Sequence, residues 1–565
     1  MAGATRRASA SSIYRMAVVI VVAVLYNTCG VGGTRARHST PANVREIDFG
    51  TSMKRTAAAP APAPALPARN HAAVAVDGSA PSAQVEPSFV CATLDWWPPE
   101  KCSYGLCSWL NASLLNLDLS SPVLQHAIKA FSPLKLRLGG SLQDRILYDI
   151  GDLIKECKPF SVDSSRLFGF NGGCLPMGRW DELNIFFQSV GAQVVFGLNA
   201  LYGRRGHYSS LGPWNSTNSR NFIKYTHDQG YKISAWEFGN ELSGHGVGTA
   251  ISAKQYAADV KELRKIIEEV YADETLPQPL LIAPDGFYDE QWTIDFFEAF
   301  EKDSPTIDVL TLHLYSLGPG VDPDLKRKIL NLSYVYKEAK MFQNVKQTLQ
   351  EHGPSVDAWV GEAGGAYNSG HHLVTDAFVS GFWYLDQMAM AASYGTKAYC
   401  RQSLVGGNYG LLNTTTFEPN PDYYGALLWH RLMGTKVLNT KVMDSQLLRA
   451  YAHCGKGTEG VTLLLLNFCP STVYQVDVLT QSASVSMDAR KTERMEYHLT
   501  PKDGDLTSQI VLLNGEPLQV NKQGELPLLR PKVVADSAPL LVDPLSIAFV
   551  SLPYLHVAAC SLSRW

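Results

Sequence analysis

An α/β architecture, a (β/α)₈ (TIM) barrel followed by a C-terminal antiparallel β-sandwich domain, follows from three features of this 565-residue chain. Short apolar runs alternate with amphipathic helical patterns over residues 88–432, the texture of a parallel sheet with crossover helices. After Leu432 the pattern changes to a period of two, with strands separated by Gly, Pro and Asp. Two of the barrel strands end in a glutamate.

At the N-terminus, Arg6, Arg7 and Arg15 precede the uncharged run Met16 to Leu25, and small residues follow from Cys29 to Gly33. The run is about ten residues where a membrane span needs roughly 20, so residues 1–30 are expected to be a signal peptide. Residues 31–72 are expected to be a disordered Ala/Pro-rich spacer, because the stretch Ala57 to Pro67 (AAAPAPAPALP) has little bulky apolar surface to offset the entropy of folding.

Buried barrel strands are predicted at Leu134 to Gly140, Ala192 to Asn199, Ile233 to Asn240, Leu280 to Asp285, Val309 to His313, Ala358 to Glu362 and Lys397 to Arg401. Gln255 to Val270 is a representative helix between them. In the sandwich, strands are expected at Leu448 to His453, Val461 to Asn467, Tyr474 to Val478, Met495 to Leu499, Ile510 to Leu513 and Ile547 to Leu552. Residues 73–87 join this second domain, with Ala73 to Val76 adding a strand to it.

The chain carries 49 Lys+Arg against 53 Asp+Glu, with 45% hydrophobic residues. That balance supports a large core and gives no basic footprint for nucleic acid. Ten cysteines are too few to hold a chain of this length together, and the nine beyond Cys29 are odd in number, so one stays free or pairs elsewhere. No paired C-x-x-C and no H-E-x-x-H occurs, so no metal site is expected. Asn111, Asn215, Asn331 and Asn413 are glycosylation sequons.

The glutamates carry the chemistry. Glu241, in Trp236-Glu-Phe-Gly-Asn-Glu, and Glu362, in Trp359-Val-Gly-Glu, fall at the ends of predicted strands, where barrel active sites lie, and placed on strands four and seven of an eight-stranded barrel they would face each other across its mouth. Retaining glycosidases need two carboxyls about 5–5.5 Å apart, one protonating the leaving oxygen and one attacking the anomeric carbon. Glu241 is the expected acid/base, Glu362 the nucleophile, and Asn240 the partner of the sugar 2-OH. No cofactor is needed for this chemistry.

The stretches Phe131-Ser-Pro-Leu-Lys-Leu-Arg-Leu-Gly-Gly140, Phe196-Gly-Leu-Asn-Ala-Leu201, Trp236-Glu-Phe-Gly-Asn-Glu241, Leu312-His-Leu-Tyr315, Gly361-Glu-Ala-Gly-Gly-Ala-Tyr367, Gly407-Asn-Tyr-Gly-Leu411 and Val557-Ala-Ala-Cys560 resemble the heparanase-like family of retaining β-glucuronidases, glycoside hydrolase family 79, and its plant branch in particular. The resemblance spans about residues 89 to 560. It implies that Asp95, Ser141 and Asn240 bind sugar hydroxyls, that His313 and Tyr315 sit beside the nucleophile, and that Asn368, Ser369, Gly370 and Tyr409 receive the substrate carboxylate. It also implies a Cys454–Cys560 disulfide; Cys157 with Cys174 is a further candidate pair.

The chain departs from the animal members of that family in three places. Asn368-Ser369-Gly370 replaces consecutive glycines, the long excised linker is absent between Asp144 and Trp180, and the only basic clusters are Arg204-Arg205 and Lys326-Arg-Lys328. The expected partner is therefore a glucuronic-acid-containing polysaccharide, proteoglycan or small glucuronide rather than heparan sulfate. A monomer in the secretory pathway is expected, with the cell wall or extracellular space, the vacuole or lysosome, and peripheral membrane association left open. Two competing readings stand beside this one: a non-catalytic glycan-binding relative and a retaining glycosidase for a neutral sugar.

Overall fold

The computed structural model describes residues 67–151, 155–206, 211–300, 306–481, 483–485 and 493–561. The expected signal peptide and nearly all of the expected spacer lie outside these residues. No helix among the described residues is long and apolar enough to cross a membrane.

Eight parallel strands close into a barrel: β1 (Val90–Asp95), β2 (Lys135–Gly139), β3 (Gln193–Leu198), β4 (Ala235–Phe238), β5 (Leu280–Gly286), β6 (Val309–Leu314), β7 (Asp357–Ala363) and β8 (Ala398–Arg401). Each pairs with its neighbours in sequence, and β8 returns to β1 through the register Cys400↔Cys91. A Cys91–Cys400 disulfide joins those first and last strands. Helices such as α1 (Met177–Val190) and α2 (Ala253–Val270) cover the outside; Ser252 caps α2 by accepting from the Gln255 amide.

Strand periodicity sorts the barrel interior into layers. Val195, Ala235, Ile282, Val309, Trp359 and Ala398 form one apolar layer. Lys135 enters that floor from β2, with its ammonium 3.6 Å from the Trp359 ring centroid and 2.6 Å from Glu86. Two residues further along the same strands the inward positions turn polar: Arg137, Glu237 and Thr311 are all 2% exposed or less. Glycine at 197 and 361 makes the room, since a side chain there would run into Gln143 and Asp285 respectively. The charged layer lies toward the C-terminal ends of the strands, where the active site is expected.

Beyond the barrel lies a mostly antiparallel sheet region. Its pivot is the 11-residue strand Met433–Met443, which pairs with Leu448–Gly455 at one end and with the N-terminal strand Ala68–Asp77 at the other. That N-terminal strand also pairs in parallel with Thr472–Gln481. Residues 68–72, assigned above to the spacer, therefore belong to this sheet. Their small and polar side chains carried no apolar alternation, and the backbone ladder rather than side-chain burial holds them.

Cys454–Cys560, Cys157–Cys174 and Cys102–Cys107 are also bonded, and Cys469 is not a free thiol. Arg204 turns inward, 2.6 Å from Asp259, while Arg327 and Lys328 pair with Asp324 and Asp322. Three of the five cations in the two short basic runs are thus paired locally. Asn111 and Asn215 are exposed, and the Asn215, Asn331 and Asn413 side chains accept hydrogen bonds from neighbouring backbone amides.

Candidate active site

Glu362 sits on β7 and Glu241 three residues beyond β4, both nearly buried at the barrel mouth. One oxygen of each carboxyl lies within 4.8 Å of the other, with a His313 ring nitrogen equally close. Glu241 adopts a left-handed backbone, φ 54°, as does Asp285, φ 52°, and the Glu241 amide donates to the Asp285 carbonyl at 2.7 Å. Left-handed backbone costs a non-glycine residue about 1–2 kcal/mol, so the cross-strand bond sustains a turn that aims the side chain inward.

Arg137 organises the layer below. Its guanidinium donates to Glu362 Oε2 at 2.8 Å, to Glu237 Oε2 at 2.7 Å, to Asn240 Oδ1 at 2.8 Å and to Asp285. Tyr315 donates its hydroxyl to the other Glu362 oxygen, Oε1. Both oxygens of Glu362 thus face donors, the arrangement that orients an ionised carboxylate.

Glu241 is in a different setting. Burial raises its pKa, a trend reinforced by Glu362 and partly opposed by the bonded His313. His313 Nδ1 lies 3.0 Å from Glu241 Oε1 and Nε2 lies 2.7 Å from Asp285 Oδ1. Burial alone would lower the His313 pKa, but Asp285 and Glu362 reverse this and hold the ring well above its usual range. An imidazolium donates from both nitrogens, so Glu241 accepts on Oε1 and Asp285 on Oδ1. Burial opposes ionisation of Asp285 too, yet Arg137 and His313 bring it down to about 2, while burial keeps Glu237 well above the ordinary range. The two cations Arg137 and His313 thus hold Asp285 ionised, while burial favours the acid forms of Glu241 and Glu237.

The remaining expected residues line the same mouth. Asp95 ends β1, accepts from Gln402 Nε2 at 2.7 Å, and is pushed up to about 8 by burial and by Glu362. Asp144 accepts the Asn240 amide at 2.8 Å and the Ala200 amide at 2.7 Å, fixing the loop that carries Asn240 and Glu241. Ser141, Arg145, Phe168, Asn240 and Glu241 line a cavity of about 310 Å³. Tyr315 and Tyr409 flank Gly364 just past Glu362. Asn368, Ser369 and Gly370 follow on the next turn, all with positive φ.

Arg137, Glu237 and Asp285 were not singled out from the sequence. Their signal is a charged residue inside an otherwise apolar strand, in Leu134 to Gly140, Ile233 to Asn240 and Leu280 to Asp285; such residues are almost never fully buried unless paired. Glu241, His313 and Glu362 are close enough to ligate an ion. Both His313 nitrogens are already engaged and Arg137 already neutralises Glu362, so this donor set suits proton transfer better than metal binding.

A closed parallel barrel with paired carboxyls at the ends of β4 and β7 defines a barrel glycosidase. The chain belongs to glycosyl hydrolase family 79, whose N-terminal domain it matches over residues 71–389. It is 49% identical to heparanase-like protein 3 of Arabidopsis thaliana, over 86% of this chain and 94% of that protein. It is 42% identical to baicalin-β-D-glucuronidase of Scutellaria baicalensis, over 84% of this chain and 90% of that one. The solved 4-O-α-L-rhamnosyl-β-D-glucuronidase of Fusarium oxysporum shares the fold, with a TM-score of 0.59 and 16% identity, covering 85% of this chain and all (100%) of that one.

Proposed function

We propose that this glycoside hydrolase is a retaining β-glucuronidase that cleaves glucuronic acid from glycans or small glucuronides by double displacement. The observation that carries the reading is the paired environment of Glu241 and Glu362. Their oxygens approach within 4.8 Å, the spacing of direct attack rather than of a carboxylate pair with water between. Glu362 attacks the anomeric carbon, held by Arg137 and Tyr315. Glu241 protonates the departing oxygen and then, as the carboxylate, takes a proton from the water that releases the sugar. Asp95, Ser141 and Asn240 bind the ring hydroxyls, and the 368–370 turn with Tyr409 receives the C6 carboxylate without a cationic side chain. The relative that acts on baicalin supports a glucuronide substrate. The small size of the basic runs, and the local pairing of Arg204, Arg327 and Lys328, speak against a highly sulfated polymer.

The N-terminal run supports delivery through the secretory pathway, to the cell wall or to a vacuole or lysosome. The test of function is hydrolysis of p-nitrophenyl β-D-glucuronide and of the matching glucoside at pH 4 to 7. Release from the glucuronide, with a loss of at least about 10³-fold in Glu362→Gln, is expected. Preference for the glucoside would point to a neutral-sugar glycosidase, and release by neither would point to a glycan-binding role.

A further inference from the structure

We infer that the small disulfide-closed hairpin Cys102–Cys107, with Trp109 behind it, is a positioning device for glucuronate selectivity. The inference rests on the reading that the 368–370 turn and Tyr409 receive the substrate carboxylate.

The local sequence explains the hairpin. Ser103 and Leu106 exchange backbone hydrogen bonds, with N–O distances of 2.9 and 3.0 Å, across Tyr104 and Gly105, which both have positive φ. A two-residue turn of this kind brings the flanking residues together, and Cys102 and Cys107 bond across it. The hairpin then meets the carboxylate turn side chain to side chain. Trp109 Nε1 donates to Ser369 Oγ at 2.9 Å, Ser103 Oγ lies 3.1 Å from the same oxygen, and Asn368 Nδ2 donates to Tyr104 Oη at 3.0 Å. Asn368 and Ser369 have φ of 57° and 69°, which side-chain-bearing residues adopt reluctantly. Consecutive glycines could make the same turn but could not be gripped. The side chains at 368 and 369 exchange backbone freedom for three contacts to the hairpin.

Trp109 ties in the other half of the carboxylate site. It is 1% exposed, and its ring meets Tyr409 nearly edge to face, with centroids 6.2 Å apart. The Gly407 amide donates to the Ser108 carbonyl at 3.1 Å, and the Asn408 amide donates to the Ser369 carbonyl at 2.7 Å. The loops after β1, β7 and β8 therefore share one anchor. No hydrogen bond among the described residues runs from the hairpin or Trp109 to Glu241 or Glu362, so the hairpin acts on where the carboxylate is held. Both cysteines are exposed, which makes the clamp open to variation without cutting into the core.

The test uses the full-length enzyme with a Cys102→Ser/Cys107→Ser double variant, Trp109→Phe and Ser103→Ala. In the first two, KM for p-nitrophenyl β-D-glucuronide is expected to rise about tenfold with kcat within about twofold, and the inhibition constant of D-glucuronate to rise in parallel. Ser103→Ala is expected to show a smaller rise of the same kind, and kcat/KM for the matching glucoside to hold in all three. Folded variants, judged by thermal unfolding and circular dichroism, that keep the wild-type KM and inhibition constant overturn the inference. So does an equal fall in kcat/KM for glucuronide and glucoside. A wild type that prefers the glucoside overturns the reading of the carboxylate site itself, and this inference with it.

Discussion

Arg137 on β2 reaches across the barrel to Glu362 on β7, placing Nη1 2.8 Å from Oε2. The same guanidinium binds Glu237, Asn240 and Asp285, so a single side chain fixes Glu362, the proposed nucleophile, and the residue before Glu241, the proposed acid/base. Arg137→Met leaves several buried acceptors without a donor. Removing one partner of such a buried pair costs about 3–5 kcal/mol. We expect a fall in the denaturant midpoint and in kcat together, and Arg137→Lys, which cannot reproduce the fork, to recover little of either.

Tyr315 supplies the second donor to Glu362. Tyr315→Phe keeps the ring beside Gly364 and removes only the hydroxyl. Loss of this one bond is expected to lower kcat about 10- to 100-fold with little change in KM, because it orients the attacking oxygen rather than the sugar. A steady-state comparison on p-nitrophenyl β-D-glucuronide checks the split.

Burial and Glu362 raise the pKa of Glu241, so its acid form persists above the ordinary glutamate range. Activity that depends on this proton is lost as pH rises through the raised pKa, which sets the basic limb of kcat/KM. Glu241→Gln is expected to flatten that limb and to cut turnover about 10²–10⁴-fold. Added azide, which needs no base to attack the glycosyl-enzyme, should restore turnover with formation of a glycosyl azide. A profile with the same basic limb in wild type and Glu241→Gln assigns it to another group.

Asp95 gives a stability prediction with a defined sign. Its folded pKa of about 8 lies above the ordinary carboxylate value near 3.8, so between these values the folded state binds the extra proton. Stability from this group is fully present below the lower value and is lost as pH rises toward 8. Asp95→Asn cannot ionise, and we expect the difference in Tm between pH 5 and pH 8 to shrink by a few degrees in thermal melts. Activity should fall in the same variant, since the proposed function sets this carboxyl against a sugar hydroxyl.

The barrel was legible because its strands are buried on both faces and read as apolar runs, and because Glu241 and Glu362 follow such runs. Period-two segments after Leu432 marked the second sheet region equally well. The first barrel strand, Val90–Asp95, was not among the predicted ones, and three further things escaped that reading, each for a physical reason. The strand from Ala68 is held by its ladder to residues 472–481, so its first residues have no hydrophobic pattern to find. Arg137, Glu237 and Asp285 interrupt the apolar periodicity, and only the three-dimensional pairing turns these interruptions into a charge network. Cys91 and Cys400 are 309 residues apart in sequence and become neighbours only when the barrel closes.

The central claim is that Glu362 forms a covalent bond to the sugar. The direct measurement is inactivation by a 2-deoxy-2-fluoro-β-D-glucuronyl fluoride, followed by peptide mass spectrometry. The account predicts time-dependent loss of activity with one fluoroglucuronyl group on the peptide containing Glu362, and no labelling in Glu362→Gln. A label on another residue, or turnover of substrate to the inverted anomer with no label at all, would contradict it.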